Sequence, residues 1–295
     1  MKKNIIFCLC VTIIALFASC NKDPDGVYNP AKKIHKIYEV NDVYGTYVSE
    51  VWNWNGNQLA SINRYDHRGD LYATNTYQYD GDRLITIRNI SSYATLNYKE
   101  NKIDCINVYL TGKNAPIAVY SFQYKGNKLS HLLTIVDDNQ FSLLDKKSLV
   151  NPLKFILPEV CASVEKMIEK SENESKGEVT ITMDFTWTGK NITSVETNMV
   201  SDHSTSSDVT KCTFDHKQNP VEGFLGSLFG SGNLYCNQNN LLSATTTSFG
   251  TPFLTTTYDY EYEGNYPVKM TVTTTYQDLL YEGIIPDVVT YIYEY

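Results

Sequence analysis

The sequence lacks the usual marks of a catalytic or metal-binding protein. It contains no CxxC pair, no HxxxH spacing and no G-x-S-x-G stretch, and its five histidines are scattered along the chain. These absences remove the sequence signals of zinc sites and of a hydrolase nucleophile. We therefore predict no catalytic residue, no metal site and no cofactor, and we expect that the protein is not an enzyme. A glycan hydrolase is a less favoured alternative. Its two catalytic carboxylates need not be close in sequence, because the fold could bring them together.

Basic clusters are lacking too. Without Lys2 and Lys3, which belong to the leader described next, 23 basic residues stand against 33 acidic ones. Nucleic-acid affinity comes largely from Lys and Arg side chains that meet phosphates, so we predict no nucleic-acid partner. Anionic lipid head groups would repel a chain with this excess of acidic residues.

The N-terminus contains the single long apolar run. Lys2 and Lys3 precede residues 4–17, which are mostly apolar but too few for a comfortable membrane span. The run ends in Ala18-Ser19-Cys20 and resembles a bacterial lipoprotein signal, although Phe17 stands where leucine is more usual. The resemblance implies removal of residues 1–19 and attachment of palmitate and other acyl chains to Cys20, which would hold the protein on a membrane. The alternative is an ordinary secretory signal with an incidental cysteine.

Residues 20–35 are predicted to be the lipidated cysteine and a flexible tether. They are polar and contain Pro24, Gly26 and Pro30. The Lys/Asp-rich start after Cys20 resembles the signal that sends Bacteroidetes lipoproteins to the outer face of the outer membrane, and a generic linker is an equal alternative. We therefore expect an outer-membrane lipoprotein of the cell envelope, with exposure at the cell surface left open.

Four cysteines remain in the exported chain. An oxidising compartment could pair them in three ways, whereas the preferred interpretation is four small buried apolar residues. They are Cys105, Cys161, Cys212 and Cys236.

Residues 36–295 repeat one short unit. In each unit, one polar residue lies between two apolar residues, most of which are aromatic. A turn and then an aliphatic residue follow. The units are residues 52–59, 77–84, 96–103, 122–129, 185–192, 214–221 and 260–268, with a partial unit at 291–295. Because residues two apart on a strand share a face, and because turn glycines supply a positive φ, the unit predicts a hairpin with one apolar face. We predict a mainly β fold, an antiparallel meander of hairpins that forms a curved sheet or a partly closed barrel.

Two insertions interrupt the units. Within about 142–177, Pro158 suits a first helical turn, and Val160, Val164, Met167 and Ile168 share one face, so we predict an amphipathic α-helix packed on the sheet. A partner-binding helix is the alternative. The second insertion, about 222–250, is predicted to be irregular and to close an open end of the sheet. If its apolar residues are exposed, they form a candidate contact loop: Phe224, Leu225, Leu228 and Phe229.

Three tryptophans form a candidate aromatic platform for a glycan or protein. Trp52, Trp54 and Trp187 each occupy a position that holds Tyr, Phe or Leu in the other units. A position that demands one class of residue in all copies is first explained by packing, so core packing is the preferred interpretation.

The sequence from Tyr65 to Leu84 looks like the YD repeat of RHS-type bacterial surface proteins. It reads YDHRGDL and, further on, YQYDGDRL. Together with the lipoprotein start and the KQNP variant at 217–220, the units resemble Bacteroidetes lipoproteins with a domain of unknown function, the DUF4595-like one being nearest. The resemblance implies a repeat-built β domain on the cell envelope and carries no catalytic residues. The irregular spacing departs from a regular spiral of YD repeats.

These observations predict a lipid-anchored cell-envelope protein with a non-catalytic binding or assembly role toward a glycan or an envelope protein. The alternative is a periplasmic carrier that holds a lipid or another apolar ligand on a concave aromatic face. The oligomeric state stays open.

Overall fold

The computed structural model describes residues 24–137, 178–201, 205–225, 236–248, 250–276 and 286–295. These residues form sixteen strands: β1 (Lys36–Asn41), β2 (Gly45–Asn55), β3 (Gln58–Tyr65), β4 (Leu71–Asp80), β5 (Arg83–Arg88), β6 (Ser92–Lys99), β7 (Lys102–Leu110), β8 (Ala118–Lys125), β9 (Lys128–Asp137), β10 (Glu178–Thr188), β11 (Asn191–Val200), β12 (Thr205–Gln218), β13 (Asn239–Ser248), β14 (Thr251–Glu263), β15 (Tyr266–Tyr276) and β16 (Asp287–Glu294). In these ranges there is no helix that could cross a bilayer.

The strands form one closed barrel. Each strand pairs antiparallel with its neighbours in the chain, and β1 closes the barrel on β16, where Lys36 faces Glu294 and Val40 faces Thr290. The predicted mainly β, antiparallel meander is confirmed. The prediction of a curved sheet or a partly closed barrel is wrong, because pairing of the first and last strands leaves no free edge and satisfies the backbone groups of both.

The two ends of the barrel carry different connections. The tether end, as we call it, holds the tight turns after β2, β4, β6, β8, β10 and β14, the β12–β13 connection, the start of β1 and the end of β16. The loop end holds the remaining connections, among them β1–β2, β3–β4, β5–β6 and β15–β16.

The wall of the barrel is apolar inside and polar outside. Strand β10 shows the alternation most simply. Its buried inward side chains are Val179, Ile181, Met183 and Phe185, and its outward side chains are Thr180, Thr182, Asp184 and Thr186. Inward side chains of the other strands join one core, which includes Leu59, Ile106 and Ile192. Burial of these apolar side chains away from water drives the closure of the sheet.

The repeated unit is a hairpin with a bulge. In six hairpins the strand register shifts directly before the second aromatic of the unit: Trp54, Tyr79, Tyr98, Tyr124, Trp187 and Tyr262. The predicted positive φ at the turn glycine is confirmed, for example at Gly126 with a φ of 63°. In the unit 96–103, Glu100 takes this position with a φ of 57°. The bulge turns the second aromatic toward the neighbouring hairpin.

The two predicted insertions have different outcomes. The amphipathic helix at 142–177 lies outside the described residues, and the described ranges themselves contain no α-helix. The irregular stretch at 222–250 is shorter than predicted, because Asn239–Ser248 forms β13 between β12 and β14. Here Ala244 and Thr246 face inward and are fully buried, so a Thr-rich strand replaces the aromatic pattern of the other units.

Candidate binding sites at the two ends of the barrel

The second aromatics of the units form a hydrogen-bonded ring at the tether end. Each of several donates a hydrogen bond to a backbone carbonyl of the preceding hairpin: Tyr79 Oη to Leu59 O at 3.0 Å, Tyr98 Oη to Leu84 O at 2.5 Å, and Trp187 Nε1 to Leu129 O at 2.7 Å. Burial raises the pKa of Tyr79 to about 12, so its hydroxyl keeps its proton. We call this set the aromatic ring: Trp54, Tyr79, Tyr98, Tyr124, Trp187, Tyr262 and Tyr295.

Cations from the turns cover the aromatic ring. Arg83 lies 4.7 Å from the ring centroid of Tyr98, and its Nη1 donates to Glu100 O at 3.0 Å. Lys128 repeats the arrangement two units further on, 5.5 Å from the Trp187 ring centroid and 2.9 Å from Gly189 O. Each basic side chain thus joins its own turn to the next, through a cation–π contact and a charge-assisted hydrogen bond.

The segment before β1 closes the tether end. Its Gly26 O accepts a hydrogen bond from Leu84 N at 2.9 Å, and its Asp25 carboxylate accepts from Ile103 N and from the Tyr124 hydroxyl. A Cβ at Gly26 would collide with the Tyr98 hydroxyl. The prediction of a flexible tether is therefore wrong for residues 24–35, because this segment buries apolar side chains, including the fully buried Ile34.

Phe224, from the β12–β13 connection, packs in the centre of this end. Its ring centroid lies 4.7 Å from that of Tyr28, 5.3 Å from Trp52 and 5.5 Å from Tyr77. Phe224 and Leu225 are each 1% exposed, so these two members of the predicted contact loop are core residues instead. The other two members, Leu228 and Phe229, lie outside the described residues.

A cavity of about 390 Å³ lies where the aromatic ring is interrupted. The unit 214–221 has His216 in place of the second aromatic, and the β12–β13 connection follows it. The cavity lies between this connection and the segment before β1. Its polar and aromatic lining includes Asp25, Tyr124, Asn127, Trp187 and Glu222.

The interior becomes polar toward the loop end. Arg64 Nε donates to Glu50 Oε1 at 2.8 Å, and Trp52 Nε1 donates to Glu50 Oε2 at 2.8 Å. Burial disfavours the charge of Arg64, but the Glu50 carboxylate outweighs it and the pKa of the guanidinium is raised. Buried polar atoms without a hydrogen-bond partner in the described chain include Arg64 Nη1, Thr134 Oγ1, Thr197 Oγ1 and Asp208 Oδ1.

Exposed apolar side chains lie along one side of the loop end. We call them the apolar rim: Val43, Tyr44, Leu71, Tyr72, Ile90 and Val288. They lie in or directly beside four consecutive connections around the barrel, and Ile90 is 95% exposed. The Tyr44 ring stacks on His67 with 3.8 Å between centroids. Sequence reasoning missed the rim; its signal was an aliphatic or aromatic residue in a loop between two predicted strands.

The three tryptophans of the predicted platform do not form one surface. Trp52 is 5% exposed and packs in the core, whereas Trp54 and Trp187 belong to the aromatic ring. Strands β2 and β10 lie on opposite sides of the barrel, eight positions apart in the strand order. These residues therefore do not form the predicted platform as a group, because Trp52 packs in the core while Trp54 and Trp187 donate hydrogen bonds to Ile34 O and Leu129 O at separate places around the tether end.

The predicted cysteines are spread over different parts of the chain. Cys20 and Cys161 lie outside the described residues. Cys212 and Cys236 are buried and Cys105 is half-buried. Within the part of the chain that the structure describes, no three His, Cys, Asp or Glu side chains form a group that could hold a metal ion.

Comparison with known proteins finds one kind of likeness, in the fold. No protein-family model matches the chain, and no curated protein matches it in sequence. Among solved structures, the barrel is similar to a porin-like protein from Bacteroides uniformis ATCC 8492. The TM-score is 0.50, the sequence identity is 12%, and the match covers 92% of this chain and 99% of that chain. At this identity the likeness shows a shared barrel fold and no more.

Proposed function

We propose that this chain is a lipid-anchored cell-envelope protein whose barrel stands outside the bilayer. Its loop end would bind a protein partner without catalysis. The observation that carries the proposal is the polarity of the barrel wall, which is the reverse of that of a transmembrane barrel. A transmembrane barrel has an apolar band about 25 Å tall on its outside and a polar inside.

The outside of this barrel is built for water. Outward side chains bond across the strands, with 2.6 Å between Thr213 Oγ1 and Ser243 Oγ, and 3.0 Å between Thr271 Oγ1 and Thr290 Oγ1. The charged side chain of Asp184 faces outward in the middle of the wall, paired with His131. Hydrocarbon around such groups would cost several kcal/mol for each group left unsatisfied. The acyl chains on Cys20 are therefore the membrane contact that we propose.

The anchor sets the orientation of the barrel. Cys20 and Pro24 are four residues apart, a distance of at most about 14 Å along an extended chain. Because Pro24 begins the segment that closes the tether end, the tether end would face the membrane. The strands are mostly 8 to 11 residues long, so tilted strands would hold the loop end roughly 25 Å further out.

The apolar rim is the binding surface of this proposal. Exposed apolar residues grouped on neighbouring loops mark an interaction site more often than singly scattered ones do. Its aliphatic members Val43, Leu71 and Ile90 suit an apolar protein surface better than the hydroxyl groups of a glycan. Exposed acids beside the rim, Asp42 and Asp287, favour a partner with basic residues around an apolar patch.

The carrier alternative has less support. It needs an accessible concave aromatic face, whereas Trp52 and Tyr77 are buried against Phe224 inside the barrel.

Photo-cross-linking in cells tests the binding role. A photoreactive phenylalanine analogue replaces Tyr72 in the rim or, as the control, Thr257 on the outer wall. We expect one discrete cross-linked protein from position 72, lost on Ile90→Ser and Val43→Ser, and none from position 257. Equal products from both positions, or products that the rim substitutions leave unchanged, would contradict the proposal.

A further inference from the structure

We propose that the cavity at the tether end binds a neutral saccharide. This site lies at the opposite end of the barrel from the apolar rim, so it goes beyond the function proposed above and does not depend on it. The observation behind it is a cavity of about 390 Å³ at the one place where the unit 214–221 interrupts the aromatic ring. This volume is within the range of small-molecule sites.

The lining combines aromatic rings with hydrogen-bonding groups that the fold leaves available. Tyr124, Trp187 and Tyr266 contribute rings. The side-chain amide of Asn127 makes no hydrogen bond within the described residues. The neighbouring Lys102 Nζ donates instead to the backbone carbonyl of Asn127. Glu222 accepts one hydrogen bond, at 2.7 Å from Gln218 Nε2, and its second oxygen has no partner in the described ranges. Rings beside a donor–acceptor amide and a carboxylate offer a sugar both apolar contact and hydroxyl partners.

The charges of the lining argue against an anionic ligand. Lys102 Nζ lies 3.7 Å from Asp25 Oδ1, and the second oxygen of Asp25 accepts from Tyr124 and Ile103. The basic residue of the cavity is thus already balanced, and Glu222 adds an uncompensated negative charge. A phosphate or carboxylate ligand would be repelled, while a hydroxyl would donate to Glu222 in a charge-assisted hydrogen bond.

The polarity of the lining argues against an acyl chain. Asp25, Asn127, Gln218 and Glu222 all reach the cavity. An acyl chain would leave the Asn127 amide and the second oxygen of Glu222 desolvated and without hydrogen-bond partners, which costs more than its own burial returns at such a site. A saccharide satisfies them. The sugar belongs either to a free glycan or to the head group of a membrane glycolipid, and the test below separates these two sources.

The test uses the full-length lipoprotein in a detergent without a sugar head group. The protein is first screened on an array of neutral and anionic oligosaccharides. The best neutral oligosaccharide is then titrated calorimetrically, and vesicles that contain a neutral glycolipid form a second arm. Binding of the free oligosaccharide assigns a soluble source, and binding of the vesicles alone assigns a membrane glycolipid; both support the proposal. Failure of both arms would overturn it.

Two variants locate the site and its charge preference. Asn127→Ala should weaken saccharide binding by about 5- to 10-fold, since one or two hydrogen bonds are lost. Asn57→Ala, the same turn position in the unit 52–59, should bind like the wild type. Glu222→Gln should weaken a neutral saccharide and strengthen an anionic one. Equal binding by Asn127→Ala and the wild type, or an anionic glycan that the wild type binds more tightly than Glu222→Gln does, would overturn the proposal, and circular dichroism checks that each variant is folded.

Discussion

The two ends of the barrel are stabilised in different ways. At the tether end, apolar side chains fill the interior, and hydroxyl and indole groups such as those of Tyr79 and Trp187 are bonded to neighbouring carbonyls. At the loop end, the interior holds an ion pair and several polar atoms that find no hydrogen-bond partner among the described residues, while Val43 and Ile90 are exposed to solvent. Stability is therefore concentrated where the units repeat.

This difference separates scaffold from function. The same hydrogen bond and the same cation–π contact recur from hairpin to hairpin at the tether end, so a change in one unit is felt by the next. The loop end lacks this coupling in the described residues, which leaves its loops free to carry contact residues without disturbing the closure of the barrel. Four pairs of substitutions can break or sharpen the comparison.

The largest expected effect is at Phe224. Phe224→Ala should lower the free energy of unfolding by about 3–5 kcal/mol, because it opens a cavity among Tyr28, Trp52 and Tyr77. Ile90→Ala at the loop end should change it by less than about 0.5 kcal/mol. Urea unfolding of the full-length protein measures both. Similar losses in the two variants would remove the distinction between the ends.

The ion pair of the loop-end interior comes next. Glu50→Ala should cost about 2–3 kcal/mol, because the 6%-exposed Arg64 would lose its counter-charge and Trp52 its acceptor. The exposed pair of Arg68 and Asp66 is the control, and Arg68→Ala should cost less than about 1 kcal/mol. If chemical denaturation shows that Glu50→Ala and Arg68→Ala lose equal stability, the interior at Arg64 is open to water.

A hydroxyl deletion tests the aromatic ring. Tyr79→Phe leaves the ring of residue 79 in place but removes the hydrogen bond to Leu59 O, and should cost about 1 kcal/mol. Tyr44→Phe at the loop end should cost nothing measurable, since the Tyr44 side chain stacks on His67 without a hydrogen bond among the described residues. Thermal unfolding compares the two variants. An unchanged melting temperature in Tyr79→Phe would show that packing alone holds the aromatic ring at the tether end.

The smallest effect concerns Asp208, whose pKa is raised from 3.8 by burial. A raised folded-state pKa means that the wild type loses stability as the pH rises from about 3.8 through the folded-state value. Asp208→Asn should therefore melt at a higher temperature than the wild type at pH 7 and at the same temperature near pH 3. Asp259→Asn on the outer wall should melt like the wild type at both. A variant less stable than the wild type at pH 7 would contradict the burial of this charge.

The sequence predicted the hairpins better than it predicted their closure. Spacing alone identified the aromatic pairs and the turn glycines, because both follow from strand alternation and backbone geometry. Closure depends on pairing of β1 with β16, between residues 250 to 258 positions apart, and no local pattern reports it. The sequence did not predict strand β13, because its buried Ala244 and Thr246 do not look like core residues. It predicted a tether that includes Tyr28 and Ile34, because prolines and polar residues surround them. The cavity and the apolar rim arise from the arrangement of turns around the barrel, which the sequence of a single hairpin does not contain.

The most direct test of the central claim, that the barrel stands outside the bilayer, is thiol labelling of the outer wall. Thr257 is exposed in the middle of β14, and its neighbour Thr256 is 3% exposed. Thr257→Cys and Thr256→Cys are made in the full-length protein with Cys105→Ser and Cys161→Ser, and isolated outer membranes, opened so that the reagent reaches both faces, are treated with a membrane-impermeant maleimide before and after detergent. We predict that Thr257→Cys reacts as readily in membranes as in detergent, while Thr256→Cys stays protected in both. Reaction of Thr257→Cys only after detergent would place the wall in lipid and contradict the account.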